Sequence, residues 1–213
     1  MYARQSSLNL KIPSDIGVIG CGGIGSWVAI YSAMGGVRTI SLFDPDILEI
    51  HNLNRLPYSE SAVGMKKVDV LREYLVHIRP QSKVFAYDRR ISGDNATLLH
   101  KCKIVFDCTD STRAHRLIER LWDKKHFTDL IRASYDGDHY TLSKNLLLES
   151  ISWGDETTGY QIVPSWVIPA SFIAQVACWL AYAEDAPECY FLSNSLRNTV
   201  NRFITYGGRT NLG

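Results

Sequence analysis

The chain has 213 residues, a formal net charge of +1, 46% hydrophobic residues and 21% charged residues. These values are typical of a globular protein with enough apolar side chains for one large core. The near-neutral charge argues against a nucleic-acid backbone or an anionic membrane as a partner. The first 13 residues lack the apolar core of a signal peptide and the five cysteines are scattered. We therefore expect a reducing, cytoplasmic location rather than a disulfide framework.

A glycine-rich run follows the first apolar strand, which begins at Ile16. The run opens a predicted helix that extends to about Met34, and residues 38–43 predict a second strand that ends at Asp44. Glycines permit a tight turn and close approach of a phosphate, which the helix N-terminus attracts. A carboxylate about 20 residues downstream, here Asp44, can accept ribose hydroxyls. The pattern predicts a nucleotide site on Gly20, Gly22, Gly23 and Gly25.

A second polar cluster follows Asp44 and indicates which nucleotide binds. Hydride transfer to NAD does not require cations on phosphates, whereas cleavage of a triphosphate depends on positioning and charge neutralisation. The cluster supplies carboxylates at Asp46, Asp107 and Asp110, cations at Arg55 and Lys67, and the amides of Asn52 and Asn54.

At these residues the chain resembles the ubiquitin-activating-enzyme-like adenylation domains of the ThiF/MoeB/HesA family. The shared motifs are GxGGxG, then D-x-D-x-x-x-x-x-N-L-x-R, then G-x-x-K, then D-x-T-D. The resemblance implies that ATP binds at the glycine run, Asp44, Asp46 and Asn52, that Arg55 and Lys67 contact its phosphates, and that Asp110 holds Mg²⁺. Family members usually carry Asn after the last Asp. Ser111 stands there in this chain, which predicts a shorter polar contact to the nucleotide.

The first residues match a further motif of the ThiF/MoeB group. Residues 2–5 read Y-A-R-Q, and the family opens with Y-x-R-Q. By that resemblance Arg4 reaches across a dimer to the phosphates held by the other subunit. The alternative is a solvated arginine on a frayed terminus.

The remaining pattern predicts a Rossmann-like, doubly wound α/β fold with a mostly parallel sheet. The family resemblance implies antiparallel edge strands at its C-terminal end. We divide the single domain into a lead-in (1–15), a nucleotide-binding core (16–150) and a C-terminal part (151–213) with a crossover loop at 152–164. The further helices are expected at Lys66–Ile78, from an Asp94 N-cap to His100, at Thr112 to about Lys124, and at Ala170–Ala183. The further strands are expected at Lys83–Tyr87, Ile104–Phe106, Asp129–Ser134 and Tyr140–Leu148, with two runs within Tyr190–Tyr206.

Residues 157–183 contain no charged side chain. Pro164 and Pro169 are expected to break this stretch, and the helix that remains is too short for a bilayer, which needs about 20 residues. A buried or subunit-interface helix is the better interpretation, so we expect a homodimer.

The chain has no CxxC pair, which argues against the zinc site of many relatives. Cys178 lies in the apolar helix and Cys189 stands among acidic residues, so we expect no thioester step.

The leading hypothesis is an ATP-dependent adenylyltransferase that activates a carboxylate. The resemblance implies the C-terminal glycine of a small ubiquitin-like sulfur-carrier protein, although relatives also use modified-nucleoside or peptide carboxylates. One rival is an NAD(P)-dependent oxidoreductase, which would leave Arg55 and Lys67 unexplained. The other is a non-catalytic ThiF-like subunit, which would usually have lost the arginine, the lysine or the second aspartate.

Overall fold

The structure is a computed structural model. It describes residues 2–150 and 164–207, and the side chains within them except those of Ser150 and 202–207. The described chain forms a seven-stranded sheet in the order β3-β2-β1-β4-β5-β6-β7. The strands are β1 (Asp15–Ile19), β2 (Thr39–Phe43), β3 (Lys83–Tyr87), β4 (Ile104–Asp107), β5 (Asp129–Asp136), β6 (His139–Lys144) and β7 (Tyr190–Ser195). Strands β1 to β5 pair in parallel, and β6 and β7 are antiparallel. The predicted doubly wound fold is confirmed.

Helices cover both faces of this sheet. The α-helices are α1 (Gly23–Gly35), α2 (Lys67–Ile78), α3 (Thr112–Asp123), α4 (Val167–Tyr182) and α5 (Leu196–Gly207). Short 3₁₀ turns lie at Ala3–Gln5, Ile50–Asn52, Glu60–Ala62, Gly93–Leu99 and Leu148–Ser150. The larger core packs α1, α2 and α4 against one face of the sheet, and a smaller core packs α3 and the Gly93–Leu99 turn against the other.

Strand β4 shows why the sheet is buried on both faces. Ile104 and Phe106 belong to the larger core, whereas Val105 between them belongs to the smaller one. Successive side chains of a strand point to opposite faces, so a continuous apolar run is what a strand covered on both sides requires. Within the described residues, no helix is both long and apolar enough to cross a membrane.

Four predicted elements differ from the structure. The strand expected at Tyr140–Leu148 ends at Lys144, because Asn145 has a φ of 53° in the left-handed region, and Leu148 begins a 3₁₀ turn. The second strand expected within Tyr190–Tyr206 is wrong, because α5 follows β7 directly and Ser195 Oγ accepts the N–H of Asn198 at 3.1 Å, which starts the helix. The turn at Gly93–Leu99 is capped by Ser92 and Asn95 rather than by Asp94. Helix α4 begins before Pro169, in its first turn, where a missing N–H costs little. The crossover loop expected at 152–164 lies outside the described residues except for Pro164.

The glycine loop sits where the chain reverses direction across the sheet. Strands β1 and β4 are neighbours, but β2 and β3 lie on one side of β1 while β5 lies on the other side of β4. Ligands of doubly wound sheets bind in the crevice at this switch point. Gly25 allows the first turn of α1 to pack there, because a Cβ added to it would lie 1.8 Å from the carbonyl oxygen of Gly20.

We predict that Gly25→Ala destabilises the fold by about 3 kcal/mol or more, since the clash is with backbone rather than with a flexible side chain. The matched control is Gly35→Ala at the other end of α1, where an added Cβ meets no atom within 4 Å. The control should unfold within about 1 kcal/mol of wild type or be slightly more stable. Urea unfolding measures both, and equal effects in the two variants would contradict the prediction.

Candidate active site

The loop after β1 exposes the amino end of α1. Gly20 has a φ of 88°, in the left-handed region, and an added Cβ there would lie 2.6 Å from the carbonyl oxygen of Cys108. Gly22 is the N-cap residue of α1 and has no side chain to satisfy the first N–H groups. A Cβ added to Gly22 would meet no atom within 4 Å, so this end of the helix faces open space. These features suit an anion such as phosphate.

Asp44 is bound to the glycine loop. Its Oδ2 accepts the N–H of Cys21 at 2.7 Å, and its Oδ1 accepts the N–H of Asp46 at 2.8 Å. Burial raises the pKa of the Asp44 carboxyl, and the ammonium of Lys67 partly opposes this shift. A carboxylate has about four acceptor positions, so the two backbone bonds leave room for others. The ribose contact of Asp44 stays a prediction.

A closed loop places Lys67 beside the D-x-D motif. The N–H of Lys67 donates to the carbonyl of Asp46 at 3.0 Å, which joins the two ends of the 46–67 segment. The Lys67 ammonium lies 3.0 Å from Asp46 Oδ2 and its side chain is 14% exposed. Lys66 instead pairs with Asp88 at 3.2 Å. The structure thus gives the two adjacent lysines different surroundings, and Lys67 is the one near Asp44.

Arg55 lies across the amino end of α1. A Cβ added to Gly23 would be 3.0 Å from Arg55 Cδ. The guanidinium donates to the carbonyl of His51 at 3.1 Å and to Asn54 Oδ1 at 3.0 Å. Within the described residues no carboxylate pairs with Arg55. Its positive charge is therefore not neutralised by a carboxylate of those residues.

The loop that carries Arg55 is held by its neighbours. Asn52 is buried, and its Oδ1 accepts the N–H of Glu49 at 3.1 Å in a capping arrangement. Asn54 donates from Nδ2 to the carbonyl of Ser165 at 2.7 Å, which connects this loop to the segment before α4. Trp27 donates from Nε1 to the carbonyl of Arg55 at 2.9 Å. Asn52 thus has a structural role in the loop, and its predicted contact with the nucleotide is not tested.

Asp110 and Ser111 follow β4 at the same edge of the sheet. Ser111 is the N-cap residue of α3, since its Oγ accepts the N–H of Ala114 at 3.4 Å. Asp110 is exposed, and its carboxylate has no partner within the described residues. Ser111, and not Asp110, therefore caps α3. The predicted contact of Ser111 with the nucleotide is not tested.

The donor set fits a magnesium ion of the kind that nucleotides bring with them. Within the described part of the chain there is no group of three or more metal-ligating side chains. Mg²⁺ is usually held by one or two carboxylates together with substrate phosphates and water, so it does not require such a group. Asp110 supplies one exposed carboxylate at the carboxyl end of a central strand, which satisfies that requirement.

Tyr135 is a site residue that the sequence patterns missed. Its hydroxyl would lie 3.0 Å from a Cβ added to Gly23, next to Arg55. Burial raises the pKa of the Tyr135 hydroxyl, and the Arg55 guanidinium partly offsets this. Tyr135 lies near the end of β5 and belongs to no motif of the glycine loop or of the D-x-T-D turn. Its position depends on strand register, which no local pattern reveals.

A buried charged network behind the D-x-T-D turn was also missed. Asp107 Oδ2 lies 2.7 Å from His115 Nδ1 and 3.5 Å from Arg132 Nε. The latter contact is an ion pair without hydrogen-bond geometry. Arg132 Nη2 donates to Glu119 Oε2 at 2.8 Å. Asp107 and Arg132 are both fully buried. Asp107 also supports the D-x-T-D turn, because its Oδ1 accepts from the N–H and the hydroxyl of Thr109.

Arg4 lies at the other end of α1. Its neighbours dock on the C-terminal end of that helix, because Gln5 donates to the carbonyl of Gly35 at 2.8 Å and a Cβ on Gly36 would touch the ring of Tyr2. A helix of 13 residues is about 20 Å long. The exposed Arg4 is thus a helix length away from the glycine loop of its own chain.

Cys21 and Cys178 are buried, and Cys108 is half-buried. Burial raises the pKa of the thiols of Cys21 and Cys108 well above their usual range, and raises that of Cys178 to about 12. A buried thiol of raised pKa carries little thiolate, which is the reactive form. Cys189 is exposed and makes a weak contact with the carbonyl of Asn145.

A model of the ThiF family matches residues 9–145. The chain belongs to the ThiF family. The match includes the glycine loop, the D-x-D loop, Lys67 and the D-x-T-D turn, so every predicted site residue except Arg4 lies within it. Membership also confirms the resemblance on which the assignments to Arg55, Lys67 and Asp110 depend.

Curated relatives in the ThiF family are longer proteins. Adenylyltransferase and sulfurtransferase MOCS3 of Culex quinquefasciatus is 39% identical over 116 residues, which is 54% of this chain and 26% of the relative. The matched region therefore spans about a quarter of the length of that relative.

Solved structures show the same fold. Escherichia coli tRNA N6-threonylcarbamoyladenosine dehydratase TcdA, in complex with AMP, has a TM-score of 0.55 and 26% identity over 60% of this chain and 56% of that one. PaaA has a TM-score of 0.66 over 86% of this chain and 64% of that one, at 17% identity, and supports the fold alone.

Proposed function

We propose that this chain is an ATP-dependent adenylyltransferase that activates a carboxylate. The observation that supports it is the convergence of two cations on the glycine loop from different elements. Arg55 lies over Gly23, and Lys67 lies beside Asp46 and close enough to Asp44 to affect its pKa. An isolated dinucleotide fingerprint needs neither cation. Two positioned positive charges at a helix N-terminus are what a triphosphate requires.

Different residues of the chain bind the phosphates of ATP and its metal ion. The N–H groups at the start of α1 bind phosphate oxygens, and Arg55 and Lys67 neutralise the charge that develops as pyrophosphate forms. Asp46 pairs with Lys67 and keeps its ammonium directed toward the loop. Asp110 holds Mg²⁺, which supplies charge neutralisation on the phosphates when bound.

The reaction is a substitution at the α-phosphorus. An oxygen of the substrate carboxylate forms a bond to the α-phosphorus, and the bond from that phosphorus to the bridging oxygen of pyrophosphate breaks. The products are an acyl-adenylate and pyrophosphate. Arg55 and the amino end of α1 stabilise the negative charge of the leaving group, and no group in the chain needs to take a proton, because the attacking oxygen is already ionised.

The substrate carboxylate is assigned to the C-terminal glycine of a small ubiquitin-like sulfur-carrier protein. The MOCS3 relative is named for both adenylyl transfer and sulfur transfer, which supports this choice. A modified-nucleoside carboxylate is the second candidate, since the TcdA neighbour is named for a tRNA nucleoside. The cytoplasmic location remains part of this proposal, as does the absence of a zinc site and of a thioester step.

The first test distinguishes ATP from NAD. ATP with Mg²⁺ should raise the melting temperature, and a ligand at a hundred times its dissociation constant adds about 2.7 kcal/mol of stability. NAD at the same concentration should have no effect, because it offers no triphosphate to Arg55 and Lys67. Stabilisation by NAD alone would favour the oxidoreductase. ATP binding without pyrophosphate exchange toward any candidate carboxylate would favour the non-catalytic subunit.

A second prediction concerns the cations and the exposed carboxylate. Lys67→Ala and Asp110→Ala should each lower ATP–pyrophosphate exchange, driven by a carrier protein that ends in Gly-Gly, by about a hundredfold or more. Both variants should keep the fold, as measured by circular dichroism. The matched control is Lys66→Ala, since Lys66 pairs with Asp88 away from the loop. If Lys66→Ala were as inactive as Lys67→Ala, the assignment of the phosphate-binding lysine would be wrong.

A homodimer completes this proposal. Apolar side chains are exposed along the outer surfaces of α1 and α4, among them Met34, Ile168 and Trp179. Gln175 of α4 donates to the hydroxyl of Tyr31 of α1 at 3.4 Å, so the two helix surfaces are adjacent. Contiguous apolar surface of this kind favours association, and a twofold partner is the commonest arrangement.

The position of Arg4 supports a contribution across the dimer. In its own chain Arg4 lies at the C-terminal end of α1, a helix length from the phosphate site. If Arg4 contacts phosphate at all, a partner chain is the more accessible recipient. We therefore assign Arg4 to the phosphates bound by the second subunit.

Mixed dimers test this assignment. Arg4→Ala and Lys67→Ala should each be nearly inactive alone. After exchange of subunits in a one-to-one mixture, a trans arrangement restores one intact site in each heterodimer, which gives about a quarter of wild-type activity for random pairing. In a cis arrangement each chain lacks one group and no activity returns. A monomer in sedimentation, or no recovery in a mixture shown to exchange, would refute the trans assignment.

A further inference from the structure

Arg132 is the largest fully buried side chain in the described part of the molecule, and it lies directly behind the turn that carries Asp110. We propose that Arg132 is a positioning residue that fixes this turn to the segment after β6, and so sets the affinity of the site for ATP with Mg²⁺. The inference rests on the proposed function. Arg132 comes from β5 and is not a member of the glycine-loop or D-x-T-D motifs, although it pairs with Asp107 of the latter.

One side of Arg132 faces the turn. Asp107 Oδ1 accepts from the hydroxyl of Thr109 at 2.9 Å and from its N–H at 3.4 Å, which shapes the backbone one residue before Asp110. The other oxygen, Oδ2, lies 2.7 Å from His115 Nδ1 and 3.5 Å from Arg132 Nε. The orientation of this carboxylate is therefore determined by buried neighbours on α3 and β5, and the turn depends on that orientation.

The other side of Arg132 holds the chain after β6. Its Nη1 donates to the carbonyl of Leu146 at 2.8 Å, and its Nη2 donates to Glu119 Oε2 at 2.8 Å. The same Glu119 oxygen accepts the N–H of Leu148 at 2.7 Å. One guanidinium and one carboxylate thus connect α3, β5 and the 146–148 segment.

The positive charge of Arg132 stabilises the two carboxylates on either side of it. Asp107 and Glu119 are two carboxylates in or near the core, and Arg132 is the permanently charged cation between them. Without it, a buried Asp107 would have to rotate, take up a proton or admit water. Each of these changes would weaken its bonds to Thr109 and move Asp110. An ion pair that only stabilised the fold could be removed without moving Asp110, so a shift of Asp110 distinguishes the two roles.

The experiment separates positioning from stability. The double variant Arg132→Met/Glu119→Leu replaces the ion pair with apolar side chains, a change that often preserves stability. At a fixed ATP concentration, we measure the Mg²⁺ concentration that gives half of the ATP-dependent rise in melting temperature. It should increase about tenfold, as is typical when residues that orient a metal ligand are removed.

The control is Lys144→Met. Lys144 is the other buried cation of the sheet, on β6, and donates to the carbonyl of Leu180 at 2.9 Å, away from the D-x-T-D turn. This variant should lower the melting temperature without ligand, yet leave the half-saturating Mg²⁺ concentration unchanged. An equal shift in Lys144→Met and in the double variant would show a general loss of stability and would overturn the inference.

A second variant covers the case in which the double variant does not fold. Arg132→Lys keeps the charge but loses the forked donor geometry that joins the two sides, so the half-saturating Mg²⁺ concentration should still rise by about threefold or more. An unchanged value in Arg132→Lys, or in a folded double variant, overturns the inference alone. If wild type shows no stabilisation by ATP with Mg²⁺, the proposed function fails and the inference fails with it.

Discussion

The bond between the Asp44 carboxylate and the N–H of Cys21 determines the geometry on which the site depends. It ties the end of β2 to the loop after β1, while Gly25 lets α1 pack directly on the carbonyl of Gly20. Together these contacts aim the first N–H groups of α1 at the crevice between β1 and β4. The arrangement has an energetic cost, because burial disfavours the ionised form of Asp44. Lys67 reduces that cost, and so the same ammonium that would contact phosphate also stabilises the loop.

The charged side chains at and behind the candidate site fall into two sets, which differ in whether they have an oppositely charged partner. Arg55 and Asp110 have no oppositely charged partner among the described residues, which is expected of groups that bind a charged ligand. Asp107, Arg132 and Glu119 satisfy one another inside the fold. Removing one member of a buried ion pair typically costs about 3–5 kcal/mol, since the remaining charge is left uncompensated. In the proposed function the first set binds the nucleotide and its metal ion, and the second set maintains the geometry of that site.

Much of the fold and part of the site could be predicted from local patterns. The βαβ unit follows from apolar periodicity and motif spacing, whereas the antiparallel edge strands and the choice of Lys67 over Lys66 follow from the family resemblance. Tyr135 and Arg132 could not be found this way, because their relation to the glycine loop and to Asp107 comes from the register of β5 against β4. The sequence pattern near the C-terminal end predicted a strand where the structure has a helix. The polar, β-branched run after Tyr190 is compatible with a strand, and the cap at Ser195 decides for the helix α5.

The hydrogen bond from Asn54 to the carbonyl of Ser165 shows that the region matched by the family model is shorter than the structural unit that supports the candidate site. The family model ends at residue 145, whereas the loop of Arg55 leans on residue 165 and α1 packs on α4, with Ser32 bonded to Tyr182 at 2.6 Å. A fragment cut at the family boundary would contain every recognisable motif. It would nevertheless expose one side of α1 to water and leave the arginine loop without its support. The region matched by the family model therefore depends on the residues that follow it to keep the candidate site in shape.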